Sequence, residues 1–315
     1  MEKKWQIKEQ ANTEDIQKLS GELNGLDETL TNILLQRKID TFEKAKAFFR
    51  PSLDEIHDPF LMKDMDRAVE RLQKAIANKE NILIYGDYDV DGTTSVALVY
   101  SYLKNFYPAL NQESEKIEQI TSKEGKKENQ SDNYQNRYGL EYYIPDRYTE
   151  GYGISYQGID YAVKNDFKLI IALDCGIKAI EKIDYASKKG VDFIICDHHR
   201  PGSEIPKAVA VLDQKREDCS YPYKELSGCG VGFKLMQAWT QKEGKDESKL
   251  MEYLDLLAVS TCADIVPITG ENRVFVYYGM KAINENPRLG IKTMLELAKK
   301  ENELTTTDIV FTIAP

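Results

Sequence analysis

Apolar residues recur at spacings of three and four through Leu30–Ile39, Phe42–Phe49 and Ala68–Ile76, which predicts a helical amino-terminal region over residues 1–80. Beyond it the period changes. Short apolar runs, Ile82–Tyr85, Leu169–Leu173, Phe193–Cys196 and Ala208–Leu212, are mostly followed by a polar cluster and a helical stretch. Strands alternating with helices predict an α/β fold, a parallel sheet covered by helices on both faces, here over residues 81–267. From Leu250 the pattern is again helical, through Met251–Val259, Val274–Ile283 and Ile291–Lys299, so residues 268–315 read as a helical extension. Between the first two strands lies Asn111–Asn136, rich in Glu, Lys, Gln, Ser and Asn. Such a segment has too little apolar surface to offset its ordering entropy and reads as a disordered insertion.

Composition narrows the classes. The chain has 42% apolar residues and 10% aromatics over 315 positions, enough for a sizeable core. No apolar run approaches the ~20 residues that span a bilayer, and the start Met1-Glu2-Lys3-Lys4-Trp5 leads into polar sequence, so a cytoplasmic protein without membrane contact is expected. Five scattered cysteines (Cys175, Cys196, Cys219, Cys229, Cys262) lack zinc-ribbon pairing and read as reduced, mostly packing thiols. A net charge of −10 argues against a nucleic-acid binder, because neutralising phosphates needs clustered Lys and Arg. Carboxylates that hold divalent cations count fully in that sum, however, and bound ions invert the local field.

The candidate chemistry gathers after the apolar runs. Gly86 is followed by three alternating acids, Asp87, Asp89 and Asp91, and then by Gly92-Thr93-Thr94. In an extended segment residues two apart point the same way, so the three acids are expected to converge, and a divalent cation would remove their mutual repulsion. An EF-hand loop also starts D-x-D-x-D-G, but its twelfth position must be Glu and here it is Leu98. A haloacid-dehalogenase-type nucleophile would resemble Asp89-Val90-Asp91-Gly92-Thr93, yet that reading leaves Asp87 and the later histidines idle.

Asp174 follows the run Leu169–Leu173, and Asp197-His198-His199 follows Phe193–Cys196. A lone Asp at a strand end is commonly a helix cap. The carboxyl ends of parallel strands are nevertheless where functional groups collect. Two of the three histidines are adjacent in that position, which suits one to bind metal and the other to act as an acid or phosphate contact. Strand alternation further predicts that their side chains diverge. His57, in Ile56-His57-Asp58-Pro59, reads as structural. Asp264, in Cys262-Ala-Asp-Ile-Val-Pro267, would be a turn residue taken alone. It gains weight because a bridged two-metal site needs roughly six protein ligands and the strands supply about five. Gly228-Cys-Gly-Val-Gly232 opens a helix that could hold a phosphate near Gly230. It has neither a preceding strand nor a following Lys-Ser/Thr, so close packing is the simpler reading. Arg147 and Lys207 are candidate phosphate contacts, with solvated surface as the default.

The ordered set Gly86–Gly92, Leu173-Asp-Cys-Gly-Ile177, Cys196-Asp-His-His199 and Ala263-Asp-Ile-Val-Pro267 resembles the motifs of the DHH phosphoesterase family in their family order. Phe49–Phe60, Tyr143–Gly153 and Leu226–Lys234 look like the RecJ-type single-strand DNA exonucleases within it. The resemblance implies 5′-to-3′ hydrolysis of single-stranded DNA with two Mn2+ or Mg2+ ions, in recombination and repair. A single-strand-binding protein or a helicase would be a partner. It implies Asp89, Asp91, Asp174, His198 and Asp264 as metal ligands, Asp174 as the bridge, Asp87 as a ligand or a partner to the ligands, and His199 at the scissile phosphate or leaving group. In the family further domains follow the point reached at Thr312–Pro315, so a truncated form is expected, its activity open. The alternatives are a DHH phosphoesterase of small nucleotides or oligonucleotides, and a non-catalytic scaffold.

Overall fold

The protein is described by a computed structural model over residues 6–106, 139–300 and 302–314. The insertion expected at Asn111–Asn136 lies outside the described residues. The chain divides into two compact units, Met1–Ile56 and His57–Pro315.

The first unit consists of α1 (Thr13–Glu22), α2 (Glu28–Gln36) and α3 (Phe42–Phe49), joined around Leu19, Leu34, Ile39 and Ala45. Asn12, Asp27 and Thr41 each accept a backbone N–H of the following turn, the usual reason a helix starts at such residues. α2 ends before Ile39, where the periodic pattern runs on, because Lys38 adopts a left-handed backbone (φ +63°).

The first α-helix of the second unit is α4 (Met65–Ala77), which the sequence pattern groups with the amino-terminal helices. α4 buries Met65, Ala68, Val69, Leu72 and Ala75, and its Arg71 reaches Asp192 of the sheet at 2.6 Å. There follow β1 (Asn81–Gly86), α5 (Val90–Lys104), β2 (Leu140–Tyr143), α6 (Tyr156–Lys164), β3 (Phe167–Leu173), α7 (Ile180–Lys188), β4 (Asp192–Cys196), β5 (Ala210–Leu212) and α8 (Gly228–Lys242). The strands form one parallel sheet in the order β2-β1-β3-β4-β5. The sequence pattern does not mark β2. It is short and two of its four residues are exposed, so it carries little apolar signal.

Both faces of the sheet are covered, which is why its strands read as continuous apolar runs. Leu83, Tyr85, Ile170, Ala172, Phe193, Ile195 and Val211 pack on one face with Ile159 and Ala162 of α6 and Ile183 and Ala186 of α7. The alternate residues, including Ile84, Ile171, Leu173 and Ile194, are also buried, with α4, α5 and α8 lying against the strands on that side. Gly232 of α8 lets Leu173 and Val99 approach closely: a Cβ there would meet them at 3.1 and 3.2 Å.

The remaining helices are α9 (Ser248–Met251), α10 (Leu254–Ala263), α11 (Gly270–Glu285), α12 (Leu289–Leu297) and α13 (Thr306–Asp308), the last running into a π turn at Ile309–Ile313. The helix expected over Met251–Val259 is thus broken at residues 252–253. No helix among the described residues is long and apolar enough to cross a membrane. In the sheet order, β2 lies on one side of β1 and β3 on the other. The connections leave the carboxyl ends of β1 and β3 in opposite directions and open a crevice there, the place where ligands bind in such sheets.

Candidate metal centre

Four segments meet at that crevice. β1 ends at Gly86, and the backbone does not stay extended through the three acids: Asp89 caps α5 by accepting Gly92 N–H at 2.8 Å, and Asp91 sits in the first helical turn. The expected convergence by strand alternation therefore does not occur. Asp87 is fully buried and gives both oxygens to backbone, accepting from Tyr88 at 2.7 Å and from Gly153 at 2.8 Å. Burial raises it above the ordinary carboxylate range. Asp91 turns the other way and accepts three donors, Gly228 N–H at 2.6 Å, Cys229 N–H at 2.8 Å and Ser260 Oγ at 2.7 Å.

Asp174 follows β3 in a left-handed conformation (φ +60°), one that Asp tolerates better than most residues, and only 1% of it is exposed. Its N–H donates to Cys196 O at 2.8 Å, which locks the end of β3 to the end of β4. Beyond β4 the Asp197 carboxylate gathers the chain around itself. One oxygen accepts from His198 N–H (2.7 Å), His199 N–H (3.1 Å) and His199 Nδ1 (2.8 Å), and the other accepts from Ile177 N–H (2.9 Å). This tight turn ends the strand alternation, so the two imidazoles do not diverge. Their centroids lie 4.6 Å apart. Asp264 closes the set from the end of α10.

His198 is the hub. Its Nε2 lies 3.1 Å from Asp174 Oδ1, 3.6 Å from Asp91 Oδ2 and 3.7 Å from Asp264 Oδ2. None of these contacts is a hydrogen bond: both His198 nitrogens and Asp174 Oδ1 are buried without a hydrogen-bond partner. Burial, reinforced by the negative charges of Asp91, Asp89, Asp197 and Asp264, drives Asp174 well above the carboxylate range. Burial and the same two aspartates of the first motif push Asp264 up to about 7, and burial lowers His198. Orphaned donor atoms around a neutral imidazole fit a divalent cation, whose charge would offset both the repulsion and the desolvation. Among the described residues, two triads have ligand atoms all within 4.8 Å of one another: Asp174, His198 and His199, and Asp91, His198 and Asp264. Asp89 belongs to neither, and Asp87 faces backbone.

His199 is different from its neighbour. Its side chain is 44% exposed, and the hydrogen bond from Nδ1 to Asp197 raises it above the ordinary histidine range. Burial would raise Asp197, but the hydrogen bond and charge of His199, with the backbone donors, hold it below. Tyr152 packs edge-on to His199 and Tyr88, and the exposed Arg147 guanidinium lies 4.5 Å over the Tyr88 ring. A recess of about 300 Å³ opens beside His199, lined by Tyr152, Ile154, Ile177, Lys178 and Lys182 among others. Lys207 is exposed. Gly230 is buried and donates its N–H to Ser227 Oγ at 3.2 Å. The amides that meet an anion at this helix start are those of Gly228 and Cys229, and the anion is Asp91. His57 lies away from the cluster, its N–H on Glu271 and its carbonyl on Lys234.

Residues 81–261 match the DHH family, N-terminal domain, and the chain belongs to that family. Within it the chain is similar to the single-stranded-DNA-specific exonuclease RecJ of Bacillus subtilis, 34% identical over 313 residues, covering 99% of this chain and 35% of the relative. It is 30% identical to that of Escherichia coli, over 80% of this chain and 40% of the relative. The chain thus spans well under half the length of both relatives. A crystal structure of exonuclease RecJ bound to manganese superposes with a TM-score of 0.65 at 26% identity, over 84% of this chain and 58% of the other. RecJ of Thermus thermophilus in complex with Mn2+ shares the fold, with a TM-score of 0.72 at 22% identity over 97% of this chain and 38% of that one.

Proposed function

We propose that this chain is the metal-binding part of a 5′-to-3′ single-strand-specific DNA exonuclease, holding two Mn2+ or Mg2+ ions. The carrying observation is the orphaned His198 Nε2, within 3.7 Å of three carboxylates in a chain similar to RecJ. Asp91, Asp174, His198 and Asp264 would hold the ions, with His198 common to the two triads, while Asp89, in neither triad, acts on Asp174 through its charge. When bound, the ions supply Lewis acidity, neutralising phosphate charge and making water a better nucleophile.

The protein's own groups account for the rest. Asp197 fixes the His199 ring through Nδ1, so Nε2 is the polar atom left for a phosphate or leaving oxygen, and the raised proton affinity of His199 keeps a proton ready to give. Asp87 ties the end of β1 to Gly153 and so sets where Tyr152 stands. The recess beside His199 gives room for the nucleotide being removed, and Arg147, exposed over Tyr88, is placed to meet a flanking phosphate. Single-strand work in repair carries with it the expected partners, a single-strand-binding protein or a helicase, in the cytoplasm. The test is manganese-dependent release of nucleotides from a 5′-labelled single strand by the 315-residue chain, against the same strand in a duplex. Equal rates on both, or none with Mn2+ present, would count against the proposal.

A further inference from the structure

Asp91 is the most heavily hydrogen-bonded of the three carboxylates around His198 Nε2, and one of its partners is a fully buried serine outside every motif. Ser260 Oγ lies 2.7 Å from Asp91 Oδ1 and 2.7 Å from Ser227 Oγ. Ser227 caps α8 and accepts Gly230 N–H. The direction of this chain of bonds follows from its ends. A backbone N–H can only donate and a carboxylate can only accept. Ser260 therefore gives its proton to Asp91 and takes one from Ser227, which takes one from Gly230, and no hydroxyl is left to rotate.

Ser260 is also one helical turn before Asp264, whose N–H donates to the Ser260 carbonyl at 2.9 Å. The same turn of α10 thus presents Asp264 to His198 and grips Asp91, a second of the three carboxylates that flank His198. We propose that Ser260, oriented by Ser227, is a positioning residue that sets the affinity of the Asp91–His198–Asp264 triad for a divalent cation. It does so by fixing the spacing of two carboxylates borne on different helices, α5 and α10. The proposal rests on the metal-centre reading given above.

The experiment is calorimetric titration of the 315-residue chain with MnCl2 in the absence of nucleic acid, with thermal unfolding of the metal-free protein alongside. Ser260→Ala is expected to weaken Mn2+ binding by about 10–100-fold, the range for partners that orient a ligand. Ser260→Thr, which keeps the hydroxyl, is expected to recover most of it. A serine of purely structural use would lower the unfolding temperature in Ser260→Ala and leave the Mn2+ Kd unchanged, and that result overturns the proposal. If Ser260→Ala does not fold, Ser227→Ala decides. Without the Ser227 donor, Ser260 is free to turn away from Asp91, so a weaker Kd is expected and an unchanged one overturns the proposal. Absence of Mn2+ binding by the unsubstituted chain removes the metal reading and this proposal together, whereas binding by that chain with an unchanged Kd in Ser260→Ala removes the proposal alone.

Discussion

A Cβ on Gly228 would sit 2.6 Å from both the Cβ and Oδ1 of Asp174, so the start of α8 and the end of β3 approach as closely as they do because residue 228 has no side chain. The same Gly228 donates its N–H to Asp91. One small residue therefore admits one acid of the cluster and anchors another. Gly228→Ala is expected to cost about 1–3 kcal/mol through overpacking and, by displacing Asp174, to weaken Mn2+ binding as well. Thermal unfolding with and without Mn2+ checks it; a variant with parental metal response would show that Asp174 has slack.

Asp174→Ala is expected to abolish hydrolysis while the fold persists, since the residue lies beyond the end of its strand. The loss should exceed the ~10–100-fold of a residue that only supports a ligand. Circular dichroism and nuclease assays together read this, and retention of most activity would contradict a bridging role.

His198→Ala and His199→Ala are expected to separate. The first removes the buried hub and should lower bound metal, measured by elemental analysis after dialysis. The second removes a half-exposed ring and should lower turnover with metal content near the parent's. Equal metal loss in both would assign His199 to the ligands, as the Asp174–His198–His199 triad allows.

Metal binding should be proton-linked. Asp174 and Asp264 are raised in the metal-free fold, Asp264 to about 7, so the native state holds protons that the unfolded chain has lost. From these groups, metal-free stability falls as pH rises from about 4 through 7. His199, raised by Asp197, acts in the same direction, because its stabilisation is present below about 6.5 and is lost as pH climbs through its native value. The lowered Asp197 contributes above about 4 and loses its contribution only in more acid solution. Mn2+ must displace the protons on Asp174 and Asp264, so its affinity should rise with pH through 7, with proton release seen in buffers of different ionisation enthalpy. A Kd that stays constant from well below to well above the Asp264 value would be inconsistent with these buried acids as ligands.

Away from the centre, Lys234 and Glu271 form an ion pair with both side chains fully buried, at 2.9 Å. Lys234 Nζ also donates to His57 O and Gln237 Oε1, and Tyr221 donates to Glu271. Lys234→Met should cost about 3–5 kcal/mol, because it strands a buried carboxylate, as read by denaturant unfolding.

Much of the architecture is legible in the chain because buried parallel strands leave unbroken apolar runs, as at Leu169–Leu173. β2 is not, since Glu141 and Tyr142 face outward. Apart from Asp264, which ends α10, the acids of the cluster are visible as residues that follow a strand, but what each one does depends on the backbone after the strand. Asp87 and Asp91 look equivalent in an alternating reading, yet the start of α5 turns Asp91 toward His198 and leaves Asp87 to Gly153. Asp197 is visible in its motif without its role as the carboxylate around which both histidines turn. Ser260 has no sequence signal, because its partner is 169 residues away. The Gly228-Cys-Gly start of α8 signals a close approach, and only the fold shows that the group approached is the protein's own Asp91.

The most direct measurement is anomalous diffraction at the manganese edge from crystals of the chain soaked in MnCl2. The account predicts a peak within bonding distance of His198 Nε2 and the carboxylates of Asp174, Asp91 or Asp264. A map without a peak at saturating Mn2+, or with peaks only at surface carboxylates away from His198, would contradict it.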